Sequence, residues 1–213
     1  MLGIKARHGC FSELFTLPAS NLYPLEKGRR DYDAVFAEPL AAALQILEQT
    51  KPAQRLLVVG DGKLGLLVAM VLRLNGSSVS LRGHHEDHLE TVKRLGVHRD
   101  PGGSFPMVVD CSGTSDGFLH SLQRLDPGGT LVLKSTFDSA VSVDLASVVV
   151  QEVKIIGSRC GPIGTALEWM KRREVYETLS KLRTHEFPFE EALKALHQAG
   201  KRGTLKVVID NLG

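Results

Sequence analysis

The stretch Leu56-Leu57-Val58-Val59-Gly60-Asp61-Gly62-Lys63-Leu64-Gly65 decides the fold of this 213-residue chain. It joins an apolar run of buried-strand type to the pattern G-x-G-x-x-G, and a helix-type segment, 63–74, follows at once. A strand, a glycine turn and a helix in that order bring main-chain N–H groups and the positive end of the helix dipole to one point. The stretch therefore predicts a pyrophosphate-binding βα unit, and the alternative is an ordinary glycine-rich turn.

The three glycines of this pattern are predicted to serve different purposes. Gly60 permits the tight turn, and Gly65 lets the helix pack close to the strand. Gly62 lets the backbone approach a pyrophosphate, because a Cβ atom there would collide with it. Lys63 and Leu64 open the helix and contribute its first N–H groups, so all five residues are predicted to bind a dinucleotide.

Strand-type and helix-type segments alternate after this stretch. Runs of Val, Ile and Leu without polar alternation are typical of strands that are buried on both faces, as in a parallel sheet. The sequence therefore predicts an α/β fold with a doubly wound parallel sheet. The predicted strands are 56–60, 79–81, 107–113, 130–134 and 153–157, and the predicted helices between them are 63–74, 86–95, 117–124 and 145–150.

The two ends of the chain differ from this alternating region. Residues 10–25 suggest short strands and turns, and residues 34–49, with Pro39 near the first turn, suggest a helix. After Ser158 a mixture of helix and strand patterns follows, which need not belong to the same sheet.

The end of the second predicted strand, Ser80-Leu81-Arg82-Gly83-His84-His85, bears on the choice of cofactor. Dinucleotide-binding domains usually place an acid there, which binds the free ribose hydroxyls of NAD. This sequence has none, and Arg82 and His84 favour the 2′-phosphate of NADP, unless Arg82 points away from the site. Arg82, Gly83 and His84 are therefore predicted to bind the ribose of NADP rather than NAD. The spacing of His84 and His88 also resembles a metal tract, for which an exposed loop is the alternative.

Two further strand ends supply polar groups to the same predicted cleft. Cys111, Ser112 and Gly113 follow one strand, and Lys134 and Ser135 follow the next. Because the carboxyl ends of parallel strands meet at one edge of the sheet, these residues are predicted to line the cofactor cleft.

The segment Gly113-Thr114-Ser115-Asp116-Gly117 supports a competing enzyme hypothesis. It matches the G-x-S-x-G nucleophile elbow of α/β-hydrolases, with Ser115 as the nucleophile. However, it begins two residues past Cys111 rather than directly at the strand end, and it leaves the earlier glycine pattern unexplained.

The composition argues against several classes of protein. Lys and Arg number 26 against 24 Asp and Glu, and there is no basic stripe, which argues against a nucleic-acid partner. The longest apolar stretch, near Leu64–Leu72, ends at Arg73, short of the ~20 residues of a membrane span. The three cysteines, Cys10, Cys111 and Cys160, are widely spaced and suit reduced thiols, which predicts a cytoplasmic protein.

Seven further segments carry a resemblance to a known family. In chain order they are FSELFTLPASNLYPL, AVFAEPLAAALQIL, VVGDGKLG, VVDCSG, GGTLVLKST, KIIGSRCGP and LKVVID. They resemble the zinc-type medium-chain alcohol dehydrogenases, in particular the branch that includes sorbitol and threonine dehydrogenases. The resemblance implies a Rossmann-type NAD(P)-binding domain at 34–157, flanked by parts of a GroES-like catalytic domain at 1–33 and 158–213.

The same resemblance implies an activity and a set of site residues. The activity is hydride transfer between a secondary alcohol or polyol and NAD(P), with zinc polarising the substrate oxygen, and two copies would pair near 153–157. Glu38 in Ala37-Glu38-Pro39-Leu40 corresponds to a glutamate in or beside the zinc shell, and Lys206 to a basic residue near the pyrophosphate. For Glu38 the alternative is a carboxylate favoured by the helix dipole.

The chain departs from the family in one large respect. Family members carry G-C-G-T-D and G-H-E motifs and a four-cysteine zinc loop ahead of the FSELFTLP segment, and these do not occur here. We therefore expect an N-terminally truncated form that does not bind zinc, because Glu38 alone cannot hold the metal. The predicted function is an NADP(H)-dependent or NAD(H)-dependent alcohol dehydrogenase whose turnover in this form is open. The alternative is a non-catalytic NAD(P)-binding remnant or interaction module.

Overall fold

Six parallel strands form the central sheet of the computed structural model, which describes residues 9–12, 14–25, 31–137 and 140–210. The strands are β1 (Arg55–Val59), β2 (Ser78–Arg82), β3 (His98–Arg99), β4 (Phe105–Asp110), β5 (Leu125–Leu133) and β6 (Lys154–Gly157). Their order across the sheet is β3-β2-β1-β4-β5-β6, and every neighbouring pair is parallel. The predicted doubly wound parallel sheet is thereby confirmed.

Helices cover both faces of this sheet. They are α1 (Ala37–Gln49), α2 (Lys63–Leu74), α3 (Glu86–Lys93), α4 (Ser115–Gln123) and α5 (Leu145–Val150). The strand order reverses between β1 and β4, since β2 and β3 lie on one side of β1 and the later strands on the other. Ligands of such sheets bind at the carboxyl ends of the strands beside this reversal, so the cleft is expected between the ends of β1 and β4.

Each face of the sheet has its own apolar core. Phe36, Leu66 and Met70 are fully buried on the face that α1 and α2 cover. Phe105 and Phe118 lie in a second cluster on the face that α4 covers. Because α1 also packs against α2, α2 is buried along most of its length, which explains its apolar sequence.

A smaller α+β unit follows β6. In it β7 (Arg183–Pro188) pairs in parallel with β8 (Lys206–Asp210). The helices are α6 (Ile163–Trp169), α7 (Arg173–Leu182) and α8 (Ala192–Ala199), and short 3-10 turns form at Ala19–Asn21, Asp31–Phe36 and Phe189–Glu191. α6 packs against α1 and α7 against α3, so this unit is joined to the core of the first face. None of the helices in the described ranges combines the length and apolar character that a bilayer crossing requires.

The structure differs from the prediction in three places. The described part of 10–25 contains no strand. It pairs with no other described strand, and apolar side chains in it, such as Leu14, are exposed. β3 and α7 were not predicted. The two residues of β3 carry no pattern, whereas Val175, Leu179 and Leu182 of α7 recur at helical spacing, so the sequence contained a signal for this helix that the prediction missed. The sequence also predicts a turn at 127–129 before the strand 130–134, but Gly128 lies within β5, and its N–H donates to the carbonyl of Gln151 at 2.7 Å.

Candidate dinucleotide-binding site

The glycine pattern lies where β1 ends and α2 begins, beside the strand-order reversal. Gly60 has a φ of +106°, in the left-handed region, and a Cβ there would lie 2.6 Å from the carbonyl oxygen of Cys111. A Cβ on Gly65 would lie closer than 3.0 Å to the carbonyl group of Gly60. The protein's own packing therefore requires both glycines, one against β4 and the other between the helix and the turn.

Gly62 differs from the other two glycines because no described residue occupies the space beside it. It is the N-cap of α2 with a φ of −71°, and within the described ranges no atom beyond the adjoining residues lies within 4 Å of the position of a Cβ. Lys63 and Leu64 are the first two residues of α2. Among the described residues, no side chain caps the first N–H groups of this helix. An uncapped helix N-terminus that faces open space is suited to an anion, and this is the geometry that a pyrophosphate requires.

Two ammonium groups accompany this helix N-terminus. Lys63 is the first residue of α2, and Lys206 comes from β8, with Nζ 5.9 Å from the centre of the Phe36 ring. Burial lowers the pKa of Lys206 and the charge of Lys63 lowers it further, whereas Glu38 acts in the opposite direction. Two cations that disfavour each other would both be stabilised by a bound pyrophosphate.

Hydrogen bonds join the ends of β4 and β5 at the same edge of the sheet. The Oγ of Ser135 accepts from the N–H of Gly113 at 2.8 Å and lies 3.4 Å from the carbonyl oxygen of Asp110. The N–H of Ser112 donates to Oδ1 of Asp110 at 3.0 Å. The structure thus brings Ser112, Gly113 and Ser135 together beside the glycine pattern.

The side chains of Cys111 and Lys134 point into the protein rather than into the cleft. Nζ of Lys134 donates to the carbonyl oxygens of Ala42 and Arg159, at 2.6 and 2.8 Å, and to Oγ of Ser158 at 3.2 Å. Burial lowers the pKa of Lys134, and burial raises the pKa of the Cys111 thiol far above its ordinary value. Any contact of these two residues with a cofactor would therefore come from their main chain.

Arg82 lies at the end of β2, beside the carboxylate of Asp100. The two side chains are 3.5 Å apart, and Asp100 also accepts two hydrogen bonds of 2.7 Å from Arg124. The bond from Arg124 is the main cause that lowers the pKa of Asp100 to about 2. The Arg82 side chain is 48% exposed and borders a cavity that Gly83 and His85 also line, whereas His84 is exposed.

The sequence-based prediction missed Asp61, which lies between the first two glycines of the pattern. Its side chain is 8% exposed, and Oδ2 accepts from the main-chain N–H groups of His84 at 2.8 Å and of His85 at 2.6 Å. Nδ1 of His85 lies 3.2 Å from the same oxygen. The sequence did contain a signal for this residue. An acid stands within the glycine pattern, in a chain that lacks the usual acid at the end of β2.

Asp61 also belongs to a cluster with His85 and His88, whose possible metal-ligating atoms lie within 4.8 Å of one another. His84, which the sequence paired with His88, is exposed and is not a member of the cluster. The carboxylate already accepts main-chain hydrogen bonds, and Nδ1 of His88 lies 2.8 Å from the carbonyl oxygen of Asp61. These bonds account for the cluster as packing between the glycine pattern and α3.

Glu38 lies exposed in the first turn of α1. Among the residues that the structure describes, it belongs to no group of three or more His, Cys, Asp or Glu side chains close enough to hold a metal. A catalytic zinc needs three protein ligands. The described residues around Glu38 therefore do not fit a zinc centre.

The G-x-S-x-G segment forms the start of α4. Thr114 is the N-cap, and its Oγ1 accepts from the N–H of Gly117 at 3.0 Å. A Cβ on Gly117 would lie closer than 3.0 Å to the side chain of Ser112. Helix capping and close packing thus explain these residues, with Ser115 as the first residue of the helix, and the geometry gives the hydrolase hypothesis no support.

Comparison with known proteins gives matches over most of the chain, although no family model matches it. A glucose 1-dehydrogenase from Thermoproteus tenax is 34% identical over 63% of this chain and 44% of its own length. A D-arabinitol dehydrogenase from Uromyces fabae is 24% identical over 95% of this chain and 64% of its own length. An L-threonine 3-dehydrogenase from Proteus mirabilis is 25% identical over 96% of this chain and 65% of its own length. The chain thus spans less than two thirds of the length of these relatives.

Solved structures show the same fold. A protein from Sinorhizobium meliloti, described as a zinc-binding dehydrogenase and bound to NADP, matches with a TM-score of 0.82 and 20% identity over 96% of this chain and 67% of its own. An L-idonate 5-dehydrogenase from Escherichia coli matches with a TM-score of 0.81 and 20% identity over 92% of this chain and 62% of its own. The resemblance of this chain to the medium-chain alcohol and polyol dehydrogenases, which its sequence predicted, is thereby confirmed.

Proposed function

We propose that this chain binds NADP(H) and forms the cofactor-binding part of an oxidoreductase that transfers a hydride between NADP(H) and a secondary alcohol or polyol. The observation that carries the proposal is the uncapped N-terminus of α2, with open space beside Gly62 at the strand-order reversal. Relatives named D-arabinitol dehydrogenase and L-threonine 3-dehydrogenase support the reaction class, and the NADP of the Sinorhizobium meliloti protein supports the cofactor class.

In this proposal each part of the cleft binds a different part of the cofactor. The N–H groups of Lys63 and Leu64 bind the pyrophosphate, and the ammonium of Lys206 offsets its charge. The main chain of 111–113 and of Lys134, together with Ser135, lines the nicotinamide end, because these residues lie at the carboxyl ends of β4 and β5.

The preference for NADP rests on the end of β2. No acid occurs among residues 80–85 to repel a 2′-phosphate, and Arg82 carries a positive charge beside the cavity that Gly83 lines. The carboxylates of Asp61 and Asp100 also border this cavity, but the first accepts from the N–H groups of His84 and His85 and the second from Arg124. Asp100 holds Arg82 in that position, and His84 is exposed beside it.

A non-catalytic NAD(P)-binding module is the second candidate function. The observation in its favour is that the described residues give Glu38 no further metal ligands. The two candidates share the cofactor site and differ in turnover, so a measured alcohol dehydrogenase activity of this chain would decide between them.

Domain boundaries, self-association and location belong to the same proposal. We place the NAD(P)-binding domain at 34–157 and assign 1–33 and 158–213 to a catalytic domain; of the first segment the structure describes 9–12, 14–25 and 31–33.

β6 is an edge strand, and Ile155 on it is 43% exposed, which supports pairing of two copies along this edge. The cysteines Cys10, Cys111 and Cys160 are all free, which supports a cytoplasmic location.

Titration of the purified chain with NADPH and with NADH, followed by nucleotide fluorescence, tests the proposed function. We expect saturable binding of both, with NADPH bound more tightly. Tighter binding of NADH would contradict the NADP preference, and binding of neither nucleotide would contradict the proposed function as a whole.

A further inference from the structure

Asp61 and Gly83 come from different βα turns but compete for one space. A Cβ on Gly83 would lie closer than 3.0 Å to Cβ, Cγ and Oδ2 of Asp61. Position 83 therefore accepts no side chain as long as position 61 carries one. Because position 83 directly follows β2, where a ribose-binding acid usually stands, the presence of Asp61 explains why that acid is absent.

Instead of binding the ribose as the absent acid would, the Asp61 carboxylate positions main-chain groups. Its oxygen Oδ2 accepts from two consecutive main-chain N–H groups, those of His84 and His85, and these bonds to an ionised group are stronger than bonds between neutral groups. Burial opposes ionisation of Asp61, but the hydrogen bonds from His85 and His84 outweigh it and leave the pKa of the carboxyl below its ordinary value. Only 8% of the Asp61 side chain is exposed, and its carboxylate, although it borders the cavity beside Gly83, is already bonded to these main-chain N–H groups.

These bonds connect the two turns of the cofactor cleft. Asp61 lies between Gly60 and Gly62, and the residues it holds, His84 and His85, are separated from Arg82 only by Gly83. Loss of these bonds would therefore free the ribose side of the cleft to move relative to the pyrophosphate side.

We propose that Asp61 is a positioning residue that sets the nucleotide selectivity of the cleft. It fixes the main chain of residues 83–85 beside the proposed ribose-binding position, and it excludes an acid from position 83. This inference rests on the proposed function, since it concerns the same cofactor.

The decisive measurement is the ratio of NADPH to NADH affinity in the variants Asp61→Ala and Asp61→Asn. We expect Asp61→Ala to weaken NADPH binding at least tenfold and NADH binding less than threefold, because the residues nearest the 2′-phosphate lose their anchor. In Asp61→Asn the amide oxygen still accepts from both N–H groups, so its affinity ratio should remain nearer to that of the unmodified chain. Asp87→Ala, which removes an exposed acid from the first turn of α3, serves as the matched control and should leave the ratio unchanged.

A folded Asp61→Ala variant whose affinity ratio stays within twofold of the unmodified chain would overturn the inference. If Asp61→Ala does not fold, amide hydrogen exchange in the unmodified chain takes its place, and we expect the N–H groups of His84 and His85 to be protected. Rapid exchange at both would equally overturn the inference. The proposed function fails on a different result, namely that the unmodified chain binds neither nucleotide.

Discussion

The two turns that form the cofactor cleft are determined in different ways. The turn between β1 and α2 depends on its own residues, because Gly60 needs a positive φ and Gly65 must pack against the carbonyl group of Gly60. The turn between β2 and α3 depends on Asp61, which lies more than 20 residues earlier in the chain. A local sequence pattern can therefore predict the first turn, whereas the second follows from a tertiary contact.

Substitution of the glycines should separate folding from binding and has the largest expected effect. Gly65→Ala should lower the free energy of unfolding by about 2 kcal/mol or more, because its Cβ would overlap the carbonyl group of Gly60. Gly62→Ala should change that free energy by less than about 0.5 kcal/mol, since no atom of another described residue lies within 4 Å of its Cβ position. Urea unfolding of both variants measures the difference, and equal destabilisation would contradict the distinction between the two positions.

The β2–α3 side of the cleft, where the ribose is proposed to bind, should lose more stability in acid than the β1–α2 side. The pKa of Asp100 is about 2 in the folded chain and ordinarily 3.8, so its stabilising contribution is present above pH 3.8 and is lost as the pH falls through 2. A shift of this size is worth about 2 kcal/mol. Urea unfolding at pH 7 and near pH 2.5 should therefore show a smaller loss of stability in Asp100→Asn than in the unmodified chain. An equal loss in both would show that Asp100 does not contribute in this way.

A smaller effect is expected at Arg82. Because its side chain is half-exposed and its charge is shared with Asp100, Arg82→Ala should weaken NADPH binding about fivefold and leave NADH binding unchanged. Fluorescence titration of the variant with both nucleotides measures this. Equal weakening of both would show that Arg82 does not distinguish them.

The parallel sheet and the glycine turn could be predicted from the sequence because both leave local signals. Val58 and Val59 belong to an apolar run that marks a buried strand, and the glycine spacing marks the turn that follows it. The inward direction of the Lys134 side chain left no such signal, because its partners Ala42 and Arg159 are distant in the chain. An acid within the glycine pattern was a signal for Asp61, but its bonds to the β2–α3 turn become visible only when the two turns meet in space.

The binding of NADPH to the unmodified chain and to Gly62→Val tests the central claim most directly. The extended backbone at this N-cap suits a valine, and apart from the adjoining chain no described residue has an atom within 4 Å of the Cβ position, so the variant should fold normally. Its side chain would occupy the space of the pyrophosphate. We predict saturable binding to the unmodified chain and a loss of at least a hundredfold in affinity in a variant with an unchanged melting temperature. Equal affinity of the two proteins for NADPH would contradict the account.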